Sequence, residues 1–186
     1  MDHMRRSDLT RERILLAARE AFATLGYERA TVREIAEKAN IHPSMVMRYF
    51  SSKEGLFTAS SAFDLRLGDL SRFPPGEIGK ALVELFLDRW ENNGGAGDLP
   101  ALLRLSVTHP QGRAKVIEVF TAQVTPSIKK VARSKNPAQS AALVATQLVG
   151  LAFLRYVVQL PAVVKLEREE LTANIGRTLQ RYLDGR

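Results

Sequence analysis

From Ile14 onward the apolar residues return every three or four positions. Ile14, Leu15, Ala18, Phe22 and Leu25 form one stripe, the spacing that puts side chains on a single helix face. Gly26, before Tyr27, is a natural stop for that helix. A second helix is predicted from Val32 to near Ala39: Thr31 can cap it, Glu34 can reach back to the Thr31 amide, and Ile35 and Ala36 supply an apolar pair. Asn40 should end it, since asparagine enters the left-handed region at small cost. After a turn, Pro43 stands where a first helical residue belongs, so a third helix runs to about Phe50. Val46, Phe50 and Met47 are expected to pack inward, leaving Ser44, Met45, Arg48 and Tyr49 outward or at the edge. Ser51 with Glu54 repeats the capping pattern and opens a fourth helix carrying Leu56 and Phe57, predicted to run from Lys53 to about Leu70.

The rest of the chain keeps the helical period. Phe73-Pro74-Pro75-Gly76 breaks it, and a helix from about Glu77 carries Ile78, Leu82, Leu85, Phe86 and Trp90. It ends in the glycine-rich run 92–97, which lacks the lysine and hydroxyl residue of a phosphate loop and reads as a surface loop. A short helix is predicted over about 99–107. Another spans 111 to about 134, with Val116, Phe120, Val124, Ile128 and Val131 inside and a kink near Thr125 imposed by Pro126. Two further helices are expected over about 137–160 and 168–183, the last with Leu171, Ile175, Leu179 and Tyr182 on one side. Strand-like alternation is absent, so the fold class is all-α, about nine helices. The predicted division is a helix-turn-helix head over 1–53 and a helical body over 54–186.

Composition narrows the partners. In 186 residues the formal charge is +7, which favours anionic partners. Residues 1–53 hold only +3 of it, leaving +4 in the body, so charge alone does not locate a site. Without cysteine there is neither a disulfide framework nor a thiolate metal site. His3, His42 and His109 are too scattered for a metal triad, no nucleophile elbow is present, and neither metal, cofactor nor catalysis is expected. The opening MDHMRRSD is polar, which argues against secretion and for a cytoplasmic protein; those residues are expected to be mobile or to form a basic arm near DNA. Ala141 to Val163 is apolar nearly all round, but Gln147, Arg155, Gln159 and Pro161 suit lipid poorly. A helix covered on both faces, by the body and by a second chain, is the expected reading, with no membrane.

Two short helices with a capped entry and a tight turn, from Thr31 to Lys53, have the layout of a DNA-reading helix-turn-helix. Gly26-Tyr27, Thr31-Val32-Arg33-Glu34-Ile35-Ala36, Tyr49-Phe50 and Ser52-Lys53-Glu54 together resemble the N-terminal domain of the TetR family of transcriptional regulators over roughly residues 10 to 57. Asn40 stands where that family usually has glycine, His42 where it often has serine, and Met47 where it often has tyrosine. The resemblance implies a body that binds a small molecule and a last pair of helices that joins a second chain in a four-helix bundle. It further implies a homodimer, most simply a repressor, on a palindromic double-stranded DNA operator. The segment Leu143 to Leu160, with Gly150 and Arg155-Tyr156, is similar to bodies of actinobacterial-type members.

On the predicted reading helix, Arg48 can bond guanine O6 and N7 together, or serve as a phosphate contact or a solvated charge. Ser44 and Met45 are secondary readers, and Pro43 and His42 lie close to DNA, His42 alternatively as a helix cap. Thr31, Arg33, Tyr49 and Lys53 suit phosphate contacts, Arg33 equally a solvated surface position. In the body, Phe86, Trp90, Leu103, Phe120, Val124, Phe153 and Tyr156 can line an apolar effector cavity or be ordinary core. Arg155, the one charge in a long apolar helix, needs a carboxylate, carbonyl oxygens or an anionic ligand. His109 is either structural or a polar anchor for the effector. Two rival classes remain: a helical-bundle enzyme, for which convergent ionisable groups are missing, and a pure interaction protein, which leaves Arg48 and the capped turn without purpose.

Overall fold

The structure, a computed structural model, describes residues 6–61, 63–91 and 98–185, and within them it is helical without a strand. The expectations for the first few residues and for the glycine loop at 92–97 fall outside the described residues. The helices are α1 (Arg6–Arg29), α2 (Val32–Lys38), α3 (Pro43–Phe50), α4 (Lys53–Ser60), α5 (Ile78–Glu91), α6 (Asp98–Thr108), α7 (Pro110–Val119), α8 (Thr125–Val131), α9 (Pro137–Ala152), α10 (Pro161–Val164) and α11 (Arg168–Asp184). The chain divides into two compact units, the described residues of Met1–Phe63 with Ala96–Lys115, and those of Asp64–Gly95 with Val116–Arg186. These units do not follow the sequence division at 53/54, because α6 packs on α1 and α4 packs on α1 and α3.

In the first unit, Ile14, Ala18, Ile35, Ala36, Val46, Leu56 and Phe57 are buried together at the centre of α1–α4. Gly26 takes φ 75, ψ 165, a backbone state essentially confined to glycine, and so ends the regular part of α1 inside its span. Two expectations change here. The cap of α4 is Ser52, whose hydroxyl accepts the Gly55 N–H at 3.0 Å, whereas Ser51 occupies the turn at φ 63. The helix itself stops at Ser60 instead of continuing to Leu70. Phe63 turns at φ 45 to bury its ring completely, 5.4 Å edge-on from Phe57, and a continuing helix does not allow that backbone geometry.

In the second unit, Ile78, Leu82, Val83 and Leu87 of α5 meet Ile128, Val144, Leu151, Leu171, Leu179 and Leu183 in one core. The closest crossing is α5 on α11, where a Cβ added at Gly79 would come within 2.2 Å of the Gly176 carbonyl oxygen. The interruption expected near Pro126 takes the form of a π turn over Phe120–Val124. Proline offers no N–H, and the preceding Thr125 N–H reaches Phe120 O, one residue further back than in an α-helix. The helix then ends at Val131, short of the predicted 134. A second π turn, Phe153–Val157, closes α9, three residues before the predicted 160. Gln159 follows at φ 56, and the short α10 leads into α11.

Candidate nucleic-acid interface

The second and third helices carry the predicted entry and turn. Thr31 N donates to Glu34 Oε2 at 2.9 Å and Glu34 N donates to Thr31 Oγ1 at 3.2 Å, so the capping box closes in both directions. The Thr31 hydroxyl also donates to that carboxylate at 2.8 Å, and these bonds hold the exposed Glu34 carboxyl below its ordinary range. At the far end, Asn40 N donates to Glu37 O at 2.9 Å and Ile41 N to Ala36 O at 3.0 Å, with Asn40 at φ 50. This is the two-bond helix stop in which the residue after the cap turns left-handed.

His42 caps α3. Its Nδ1 accepts the Ser44 N–H at 3.3 Å and lies 2.7 Å from the Ser44 hydroxyl, while Pro43 opens the helix. Val46 and Phe50 are buried. Ser44, Met47 and Arg48 are exposed, and Met45 and Tyr49 are half-buried at the edges. Met47 therefore faces outward, not inward as its apolar character suggested: the inner stripe of an eight-residue helix is filled by Val46 and Phe50 four positions apart. Among the described residues no protein group bonds the Arg48 guanidinium. Arg33 is exposed on α2. Lys53 is partly buried: its ammonium lies 4.6 Å from the centroid of the Tyr27 ring and donates to Glu28 O at 3.3 Å. The nine residues predicted for DNA contact thus lie on or beside α2, α3 and the start of α4.

Behind this face the Tyr27 hydroxyl donates to Glu54 Oε1 at 2.8 Å, and His109 Nε2 lies 3.8 Å from the same oxygen, an ion pair when the imidazole is protonated. Burial works to raise the Glu54 carboxyl, but its own amide, the Tyr27 and Ser52 hydroxyls and His109 together hold it below the usual range. His109 Nδ1 is 2.8 Å from the Thr108 hydroxyl. A sequence reading that weighed His109 only as loop residue or ligand anchor had no signal for Glu54, which is 55 positions away.

The residues predicted to line an effector cavity are distributed over both units. Leu103, partly buried on α6, and His109 belong to the first. In the second, Trp90 and Tyr156 stack at 4.9 Å, with Phe86 5.6 Å from Trp90 and 6.3 Å from Tyr156. Phe120 and Val124 are partly buried against the core from the first π turn. Phe153 departs from the expectation: it is 38% exposed on the outer side of its helix, because the inward positions of that turn are taken by Leu151 and Ala152. Arg155 is held by the protein itself. Its Nη1 donates to the carbonyls of Val163, Val164 and Leu166 at 2.9, 3.2 and 3.0 Å, and its Nη2 to Glu91 at 3.3 Å. That is the carboxylate-and-carbonyl solution for a charge in an apolar helix, and it closes the end of α10. The Tyr156 hydroxyl also donates to Glu91, at 2.9 Å; burial first, then this carboxylate, pushes the phenol well above its ordinary value.

The helix-bearing face most at odds with its sequence expectation is that of the last two long helices. Leu171, Leu179 and Leu183 of α11 are buried against α5 and α9 within the chain, and the outward side of α11 carries Ala173, Asn174, Arg177, Thr178 and Arg181. Of these two helices it is α9, with its continuation, that presents apolar side chains outward, with Leu143, Val149, Phe153 and Leu154 exposed, followed by Val158, Leu160, Val164 and Leu166. This 21-residue helix, Pro137–Val157, is long and apolar enough by composition to cross a membrane, yet its other side is built into the core through Val144 and Leu151.

Comparison with known proteins matches residues 14–59 to the family described as bacterial regulatory proteins, tetR family, and residues 76–183 to the tetracyclin repressor-like C-terminal domain. The HTH-type transcriptional regulator TcmR of Streptomyces glaucescens is 41% identical over 70 residues, which cover 37% of this chain and 31% of that protein. The HTH-type transcriptional repressor BdcR of Escherichia coli is 26% identical over 130 residues, 66% of each chain. The chain spans 31% and 41% of the length of the first curated relatives it matches, well under two thirds. A solved transcriptional regulator from Rhodococcus shares the fold at TM-score 0.64 and 22% identity, over 94% of this chain and 96% of that one.

Proposed function

This chain belongs to the TetR family of bacterial transcriptional regulators, and on that premise we propose that it is a cytoplasmic, ligand-responsive repressor that binds a palindromic operator as a homodimer. It is a regulator and not an enzyme. The observation that carries the DNA reading is Arg48, exposed and without a protein partner among the described residues, on a helix whose start is capped by His42 and Pro43. A guanidinium fork left free in this way suits the O6 and N7 edge of guanine, with Ser44 and Met45 beside it. Arg33, Tyr49 and Lys53 flank it as phosphate contacts, and Thr31, whose hydroxyl and N–H are both engaged by Glu34, supports them by capping α2. Two-fold symmetry then calls for half-sites about one helical turn, or a multiple, apart.

The second copy meets the outer apolar face of α9. Isolated exposed leucines are ordinary, but Leu143, Val149, Phe153 and Leu154 along one face are the kind of surface that associates. The effector is a mostly apolar, drug-sized molecule received beside Phe86, Trp90 and Tyr156, with Phe120 and Val124 as further wall. It releases DNA because it binds the released state better than the DNA-competent one.

Selection of binding duplexes from a random pool tests this reading. The expected outcome is enrichment of a two-fold symmetric site, for which Arg48→Ala loses about 1–3 kcal/mol of discrimination. A pool that emerges without any enriched sequence would remove DNA reading from the function. For the effector, a bound apolar ligand should raise the melting temperature and lower operator affinity together, both reporting one coupling free energy.

A further inference from the structure

We propose that Arg13, on the first helix, is a positioning residue for α3, acting through the turn at Asn40; the proposal rests on the reading of α3 as the DNA-reading helix. The connection is only four residues long, Ala39 to His42, so its torsions set the direction in which α3 leaves α2. Asn40 holds φ 50 there. Asparagine tolerates the left-handed region better than other side chains but less freely than glycine, so this conformation needs support from its surroundings.

Arg13 supplies it. Its Nη2 donates to the Ala39 carbonyl and, at 3.3 Å, to the Asn40 carbonyl. These are carbonyls that the end of α2 leaves without helical partners, since the closing bonds there run to Ala36 O and Glu37 O. A cation at a helix C-terminus is favourable, and one guanidinium nitrogen bridging two successive carbonyls opposes rotation of the peptide between them. At the other end of α3, the Arg11 guanidinium lies 5.5 Å from the Phe50 ring centroid. One turn of α1 thus braces the reading helix at its entry and at its exit. Neither arginine lies on α3, so Arg13 acts on operator choice only by fixing where Ser44 and Arg48 point.

The test uses the full chain and two labelled duplexes, the selected operator and a scrambled version, titrated over a salt series with melting temperatures recorded. Arg13→Met is expected to lower the operator-to-scrambled affinity ratio about tenfold, as misdirecting one base-edge contact does, with the salt slope on scrambled DNA unchanged. Asn40→Gly alone should leave the ratio nearly unaltered, and Asn40→Gly combined with Arg13→Met should restore most of it, because glycine keeps the turn without the bridge. Arg13→Lys, which retains the charge but not the fork, should fall between. If Arg13→Met fails to fold, Arg13→Lys with and without Asn40→Gly carries the same comparison. Equal weakening on both duplexes, with a salt slope shallower by about one and full recovery in Arg13→Lys, would make Arg13 a phosphate contact and overturn the proposal. Failure of Asn40→Gly to rescue would overturn it as well. A wild-type protein with no preference between the duplexes would instead remove the DNA-reading premise, whatever Arg13 does.

Discussion

Helix α3 and helix α9 both show the solvent a face that the chain does not satisfy, and the two faces are opposite in kind. On α3 the exposed residues are Ser44, Met47 and Arg48, a hydroxyl, a thioether and a guanidinium on a helix whose buried residues are Val46 and Phe50. On α9 they are Leu143, Val149, Phe153 and Leu154, and no aspartate or glutamate occurs anywhere from 119 to 166. The first face suits a polyanion, whose binding releases counterions and weakens steeply with salt. The second suits another apolar face, whose association does not depend on ion pairs. Faces suited to partners of different chemistry thereby lie on separate helices.

The comparison is most severely broken from beneath the surface. Leu179 lies on α11, one of the two helices the sequence assigns to the interface between copies, but it is fully buried within a single chain. Leu179→Asp should therefore cost about 4 kcal/mol or more of folding stability, seen as a collapsed urea midpoint, and not as a clean shift from dimer to monomer. Stable, folded monomers from that variant would put the side chain back at the interface. A sharper cut is Leu154→Asp, at a position 38% exposed in the chain. Loss of one buried leucine is worth roughly 1.5–3 kcal/mol, so sedimentation should show at least a tenfold weaker dimer with the melting temperature of the monomer little changed; an unaltered dimer would move the interface off α9.

Smaller effects separate the faces further. Lys53→Ala should weaken binding to all duplexes about equally and reduce the salt slope by about one, while leaving the dimer untouched. Its ammonium is already engaged by the Tyr27 ring and Glu28 carbonyl, so an unchanged slope would assign it to the fold alone. The smallest effect is a pH dependence at the start of α2. Glu34 is held below its ordinary value by the Thr31 hydroxyl and amide. A lowered carboxylate stabilises the fold fully above the ordinary glutamate range and loses that contribution as pH falls through the lower folded value. Thr31→Ala should flatten this acid limb in a thermal-melt series, and a limb identical to wild type would show that the box does not couple to folding.

What was legible in the head was legible because its determinants are neighbours in sequence. A capping box needs Thr31 and Glu34 only, and the helix stop needs Asn40, Ile41, Glu37 and Ala36 only. Of the nine residues proposed for DNA, the one whose role changed most is Thr31, since its hydroxyl serves the cap. Arg13 escaped notice because its partners lie 26 and 27 positions away. The effector side fared less well. Phe86, Trp90 and Tyr156 do meet, but Phe153 turns outward and Arg155 is consumed by four acceptors on its own chain.

By itself, the sequence determined that the chain is helical, where most helices begin, and which short segment forms the capped helix-turn-helix, since 3.6-residue periodicity, N-caps, Pro43 and Gly26 act through local torsions and adjacent hydrogen bonds. Only the tertiary structure decided which side of an apolar helix is covered. Periodicity shows that Leu179 and Leu143 each belong to a stripe, but burial depends on what packs there: α5 and α9 cover the α11 stripe, while Leu143 stays 39% exposed among the described residues. The same holds for α4, which stops at Ser60 because the core accepts the whole ring of Phe63, a gain in buried area that outweighs the helix propensity of the residues after it.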